Sequence, residues 1–112
     1  MKEVNIDNYV CYIGENKNEN DKLVRNARLE QRGNDIWIHM TEYPSAHCII
    51  LNPNNDRISN KILKKFAIYM KVNSKYKTLN KLEFDIMKIK NVIPTDTIGQ
   101  VDLVGNIKTI MI

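Results

Sequence analysis

Cysteine, proline and glycine are all scarce in this chain, with two, three and four residues in 112. Cys11 and Cys48 are too few for a disulfide framework, and neither has a partner at metal-ligand spacing. Both read as buried thiols on strands, which suits a reducing compartment, so a soluble cytoplasmic protein is the expectation. No run of 18 or more apolar residues occurs, so no membrane span is expected, and no charged-then-apolar leader opens the chain. There is one tryptophan and there are two histidines, and arginine is rare beside lysine. The 43% hydrophobic content supports one modest core, so residues 1–112 are read as a single domain.

Acidic residues are nearly missing from one stretch. Residues 57–90 hold ten Lys/Arg against two Asp/Glu, whereas residues 1–56 hold six against nine and residues 91–112 one against two. These blocks of +8, −3 and −1 sum to the net +4 of the chain. A basic block inside a folded domain attracts polyanions in a salt-dependent way, although a solvated helix face carries the same signature.

Val4–Ile6 and Val10–Ile13 read as a strand pair turning at Asp7-Asn8. After a polar loop at Glu15–Asn18, Asn20 is the expected N-cap of a short helix through Leu23, Val24 and Ala27. Strands are expected at Asp35–Met40 and His47–Leu51, separated by the Thr41–Pro44 turn. Ser59 caps the main helix, which runs to about Asn73 with an apolar stripe of Ile62, Leu63, Phe66, Ala67, Tyr69 and Met70. Leu82–Ile86 alternates strictly. Two further strands, near Gly99–Leu103 and Ile107–Ile112, are expected to form a hairpin about Gly105-Asn106. The fold class is α+β, a mainly antiparallel sheet with two helices.

Period-two alternation sends Trp37 and His39 to one strand face. An exposed Trp37 would offer a stacking platform worth roughly 1–3 kcal/mol per base; the favoured alternative is a core residue on a central strand. If their strands are antiparallel neighbours, His39 and His47 share a side. A metal site would add Asp35 but lacks a fourth ligand. Cys48 points away from His47, which leaves no nucleophile–base pair. The favoured roles for both histidines are fixing the Pro44–Ala46 turn or contacting a nucleotide. No cofactor, metal or catalysis is expected. Capping is the favoured role of Asn18, Asn20 and Asp21, although a helix N-terminus also suits a phosphate.

Taken in order, Tyr12-Ile13-Gly14, Asn18–Val24, Asp35–His39, Ser45-Ala46-His47, Asn73-Ser74 and Gly99-Gln100-Val101 resemble the NFACT-R domain. That domain is the nucleic-acid-binding module of ribosome-quality-control factors. Pro44-Ser45-Ala46-His47 is closest to its stand-alone subgroup, typified by coiled-coil domain-containing protein twenty-five, without the coiled coil. Glu15 stands where many members carry arginine. The resemblance implies a non-catalytic RNA-binding module for tRNA or rRNA, linked to stalled ribosomes. It turns the lysine face from merely solvated into a candidate interface: Lys64, Lys65, Lys71, Lys75 and Lys77 for phosphates. Ser74, Tyr76, Trp37, His39 and His47 are the candidates for polar or stacking contacts. DNA on the same face and an acidic or ribosome-associated protein partner stay open as alternatives.

Overall fold

Asp7 and Asn8 both adopt left-handed backbone, with φ of 49° and 69°. Short polar side chains tolerate this conformation, and two such residues in a row match the twist of a tight hairpin. They join β1 (Lys2–Ile6) to β2 (Tyr9–Ile13). The computed structural model describes residues 1–112. After β2 come α1 (Lys17–Leu29), β3 (Ile36–Met40), β4 (Cys48–Ile50) and α2 (Asn60–Val72). They are followed by β5 (Glu83–Lys88), a 3₁₀ turn at Ile89–Asn91, β6 (Val92–Pro94), β7 (Val101–Leu103) and β8 (Lys108–Met111). The α+β expectation holds.

Six strands form one sheet in the order β1-β2-β4-β3-β5-β8, with every neighbouring pair antiparallel. β3 and β4 are interior, and alternation divides their side chains between two cores. Ile36, Ile38, Met40, Cys48 and Ile50 meet Leu63, Phe66, Ala67 and Met70 of α2. Trp37 and Ile49 face the other way, against Leu23, Val24 and Ala27 of α1 and Ile89 and Val92 beyond β5. Both cysteines are buried free thiols on the α2 side. Hydrogen bonding with Cys11 and burial push the Cys48 thiol up. No helix is long and apolar enough to cross a membrane.

Two expectations need correction, and a third point is a strand that was not foreseen. The first helix begins at Lys17, not after Asn20. Asn16 is its N-cap, accepting from the Glu19 N–H at 2.9 Å, while Glu19 accepts from the Glu15 N–H at 2.9 Å, a reciprocal arrangement close to a capping box. The supposed polar loop is therefore the helix start, and Asn20 is buried inside the first turns. Secondly, β7 and β8 form no hairpin. β7 pairs with β6 on the α1 side, whereas β8 extends the main sheet beside β5. The apolar residues decide this: Val101 and Leu103 pack on the α1 core, and Ile110 belongs to the α2 core. Thirdly, β6 was hidden in the sequence by its three-residue length and its proline. Arg28 of α1 holds it, its Nη1 donating to the carbonyls of Ile89, Lys90 and Val92 at 3.2, 3.4 and 3.1 Å.

Gly14 closes β2 against α1. A Cβ there would lie 2.1 Å from Asn20 Oδ1 and 2.9 Å from the Asn20 backbone nitrogen. Gly105, by contrast, has φ 91° and open space around it. Gly14→Ala should therefore lower unfolding free energy by about 2 kcal/mol or more through displaced packing and a broken buried hydrogen bond. Gly105→Ala should cost only about 1 kcal/mol of backbone strain. Urea unfolding followed by circular dichroism checks the ranking, and equal losses would contradict the close-approach argument.

Candidate nucleic-acid interface

Asn20 is where distant segments meet. Its Oδ1 accepts from the His47 backbone N–H at 3.0 Å, and its Nδ2 donates to the Ser45 carbonyl at 3.5 Å. The His47 carbonyl in turn accepts from the Gly14 N–H at 3.1 Å. Ser45 Oγ accepts from the Met40 N–H at 3.3 Å. The Pro44–Ala46 turn is thus fixed by backbone groups and a buried amide, not by an imidazole. Asn20 is no cap; it is the anchor of this turn.

Two clefts flank the turn, and both are walled by Lys17, Asn20, Pro44 and Ser45. The first, of about 560 Å³, runs from the N-terminus of α1 to the C-terminal end of α2. It adds Asn73, Ser74, Lys75 and Tyr76 on one wall and Gly14–Asn16 on the other. Three lysines (Lys2, Lys17, Lys75) against Glu15 make its lining net positive. The second, of about 710 Å³, lies over Trp37, His39 and His47. Gly99, Gln100 and Val101 form its far wall, and Glu42 and Asp85 outnumber Lys17 as charges. Gly99 has φ 83° and sits against Lys17, leaving a Cβ only 3.1 Å of room. Its N–H donates to Asp21 Oδ1 at 3.3 Å.

The candidate residues from the sequence are distributed unevenly over these surfaces. Ser74, Lys75 and Tyr76 line the first cleft. The Ser74 hydroxyl donates to the Lys71 carbonyl at 2.8 Å and accepts from the Tyr76 N–H at 3.1 Å, so it also closes α2. Tyr76 packs on Tyr43 with ring centroids 4.4 Å apart, and Lys75 Nζ lies 5.4 Å from its ring. Lys64 and Lys77 are exposed outside both clefts. Lys65 is paired with Asp7 at 2.6 Å, and Lys71 Nζ reaches the Ile112 carbonyl at 3.5 Å.

Trp37 is 1% exposed and His47 3%. The stacking-platform role for Trp37 is corrected accordingly, because a ring packed under α1 offers no free face to a base. The two histidines do share a side, with centroids 4.8 Å apart. His39 is half-buried and stacked on Trp37 at 5.5 Å and 14°. Asp35 does not join them. It accepts from the Asn52 N–H at 2.8 Å and pairs with Arg32 at 3.2 Å, and burial pushes its carboxyl up. The residue opposite His39 on β5 is Asp85, which sequence reasoning missed because that pairing depends on strand order. No group of three His, Cys, Asp or Glu side chains is placed to hold a metal.

Trp37 Nε1 donates to His47 Nδ1 at 3.2 Å. An indole N–H can only donate, so Nδ1 must accept and the imidazole is neutral, with its proton on Nε2. Burial, then the neighbouring His39, pushes the His47 pKa from 6.5 down to about 3. His39 is lowered too, by burial, with Asp85 opposing. Below about pH 6.5 the unfolded chain therefore takes up protons that the native protein refuses. Stability should be full at neutral pH and fall toward pH 3, by up to about 1.4 kcal/mol per pH unit from His47. His47→Gln keeps an acceptor for Trp37 and cannot titrate. Urea midpoints at stepped pH should show a flatter decline in this variant, and an unchanged slope would contradict the assignment.

A likeness in three dimensions agrees with this architecture. The C-terminal part of the fibronectin/fibrinogen-binding protein from Streptococcus suis superposes with a TM-score of 0.75 at 24% identity. The match covers 93% of this chain and 40% of that one, so this chain spans well under half of that protein's length. No curated protein sequence matches. The family model of the NFACT protein RNA binding domain matches residues 2–108. It takes in both clefts and all the segments that meet at Asn20, and the chain belongs to that family of RNA-binding domains.

Proposed function

We propose that this protein binds RNA of the tRNA or rRNA class without catalysis, with the phosphate backbone entering the basic cleft between α1 and α2. The reading extends to a role beside stalled ribosomes and, through the Pro44–His47 turn, to the stand-alone branch of the family. One observation carries it. Four separated segments that resemble the family pattern, at Gly14, Asn18–Val24, Ser45-Ala46 and Asn73-Ser74, contribute to the walls of one lysine-lined cleft. Lys17 and Lys75 lie on opposite walls and supply charge without base readout. Lys64 and Lys77 add field from outside the cleft. Lys65 contributes less, because Asp7 already neutralises it. Glu15 at the rim limits affinity by repelling phosphate.

Fluorescence anisotropy on labelled tRNA across a salt series tests this. Binding should weaken steeply with salt, and Lys17→Ala/Lys75→Ala should reduce the log–log slope by about 1–2. Lys64→Ala should change it by less. A larger effect at Lys64 would move the phosphate path to the outer face of α2. Absence of binding at ~50–100 mM salt by folded protein would overturn the reading. Competition with DNA of equal length should favour RNA, whose 2′-hydroxyls the polar cleft walls can meet.

A further inference from the structure

The second cleft has a chemistry the phosphate-binding reading does not use. His47 is 3% exposed, and one ring nitrogen is taken by Trp37. The other, Nε2, carries the proton, makes no hydrogen bond within the protein, and opens onto the wall of the cleft. A donor fixed in place by its neighbour and open to a cleft is a directional contact for a ligand. Beside it, His39 stacks on Trp37. Across the strand pair from His39, Asp85 accepts from the Thr41 hydroxyl at 2.9 Å through Oδ1, which leaves Oδ2 free of protein donors. The cleft thus presents a fixed neutral donor and a free carboxylate acceptor over an aromatic floor. Its volume of about 710 Å³ lies within the range of small-ligand sites.

The charges exclude a phosphate as the occupant, since Glu42 and Asp85 face a single Lys17. They favour an uncharged group with adjacent acceptor and donor atoms, which is the edge of a nucleobase. Lys17 stands on the ridge between the two clefts. A strand whose phosphate sits on Lys17 can therefore drop its base over the ridge. We propose that this cleft takes one unpaired nucleobase of the bound RNA by its edge, with His47 Nε2–H as donor and Asp85 as acceptor. This rests on the RNA-binding reading and adds to it a contact that salt does not screen. Unpaired bases are the part of RNA that proteins read by hydrogen bonding at their edges.

Trp37 is the only tryptophan, so its single indole N–H resonance in a ¹H–¹⁵N spectrum reports on its bond to His47. Two probes are compared, a short single-stranded RNA and an abasic strand of equal length with the same phosphates. The base-bearing strand should bind roughly 5- to 100-fold more tightly and shift the indole resonance saturably, while the abasic strand leaves it in place. Asp85→Ala, with its fold checked by urea midpoint, should reduce that ratio toward one, while abasic binding holds or tightens slightly because a negative charge beside Lys17 is removed. Equal binding of the two strands with an unmoved indole would overturn the base cleft and leave RNA binding standing. Uncharged nucleosides separate the opposite failure. If they shift the indole while neither strand binds, the cleft holds and the RNA-binding reading fails; if nothing shifts or binds, both fall.

Discussion

One buried amide holds the functional end of the molecule together. Asn20 sits in the first turns of α1, yet it satisfies the backbone of a strand entry 27 positions away, at His47. A side-chain carbonyl accepting a buried N–H is worth about 1 kcal/mol net, but leaving that N–H unpaired costs about 1–3 kcal/mol. The contact exists only because Gly14 has no side chain to occupy the same space. Once made, it fixes the Pro44–Ala46 turn as a ridge, and the ridge creates two clefts where there would otherwise be one open slope.

The clefts differ because the sheet has two differently furnished faces. The side toward α2 is aliphatic and aromatic, and its fully buried titratable groups are only the two thiols, with tyrosines at its margin. The side toward α1 buries Trp37 with one imidazole stacked on its face and the other hydrogen-bonded at its edge. Alternation along one five-residue strand produces both environments. The basic cleft lies at the ends of the helices, where lysines are solvated. The histidine cleft lies over the sheet, where burial keeps imidazoles neutral. Charge and hydrogen bonding are thereby separated by the width of a turn.

Periodicity within a segment was legible in the sequence, and pairing between segments was not. The Asp7-Asn8 turn, the Ser59 cap, the stripe of α2 and the shared face of Trp37 and His39 all follow from local rules. The start of α1 was legible too, since Asn16 followed three residues later by Glu19 is a capping signal, but asparagine is common in this chain and Asn20 looked equally suitable. The fates of β7 and β8 depend on which core each apolar pair joins, a decision made by the whole fold. Asp85 illustrates the same limit: nothing near it in sequence connects it to His39. The lysines from Lys64 to Lys77 read as one candidate interface, yet Lys65 pairs with Asp7 at the β1–β2 turn and, of these, only Lys75 lines the basic cleft.

The two cores are unequal, sixteen buried residues on the α2 side against eight on the α1 side. Local opening follows buried apolar contact, so the thinner layer of α1, β6 and β7 is the part that breathes first. Polar ties hold the layer together internally, Arg28 to three carbonyls, Arg25 to the Thr95 carbonyl and Asp21 to the Gly99 N–H, while its small apolar core and Asn20 fasten it to the sheet. That same layer contributes Lys17, Asn20 and the Gly99–Val101 wall to the clefts. The surfaces offered to a ligand therefore belong to the most easily loosened unit of the protein, and occupancy of the clefts and closure of that layer become a single equilibrium.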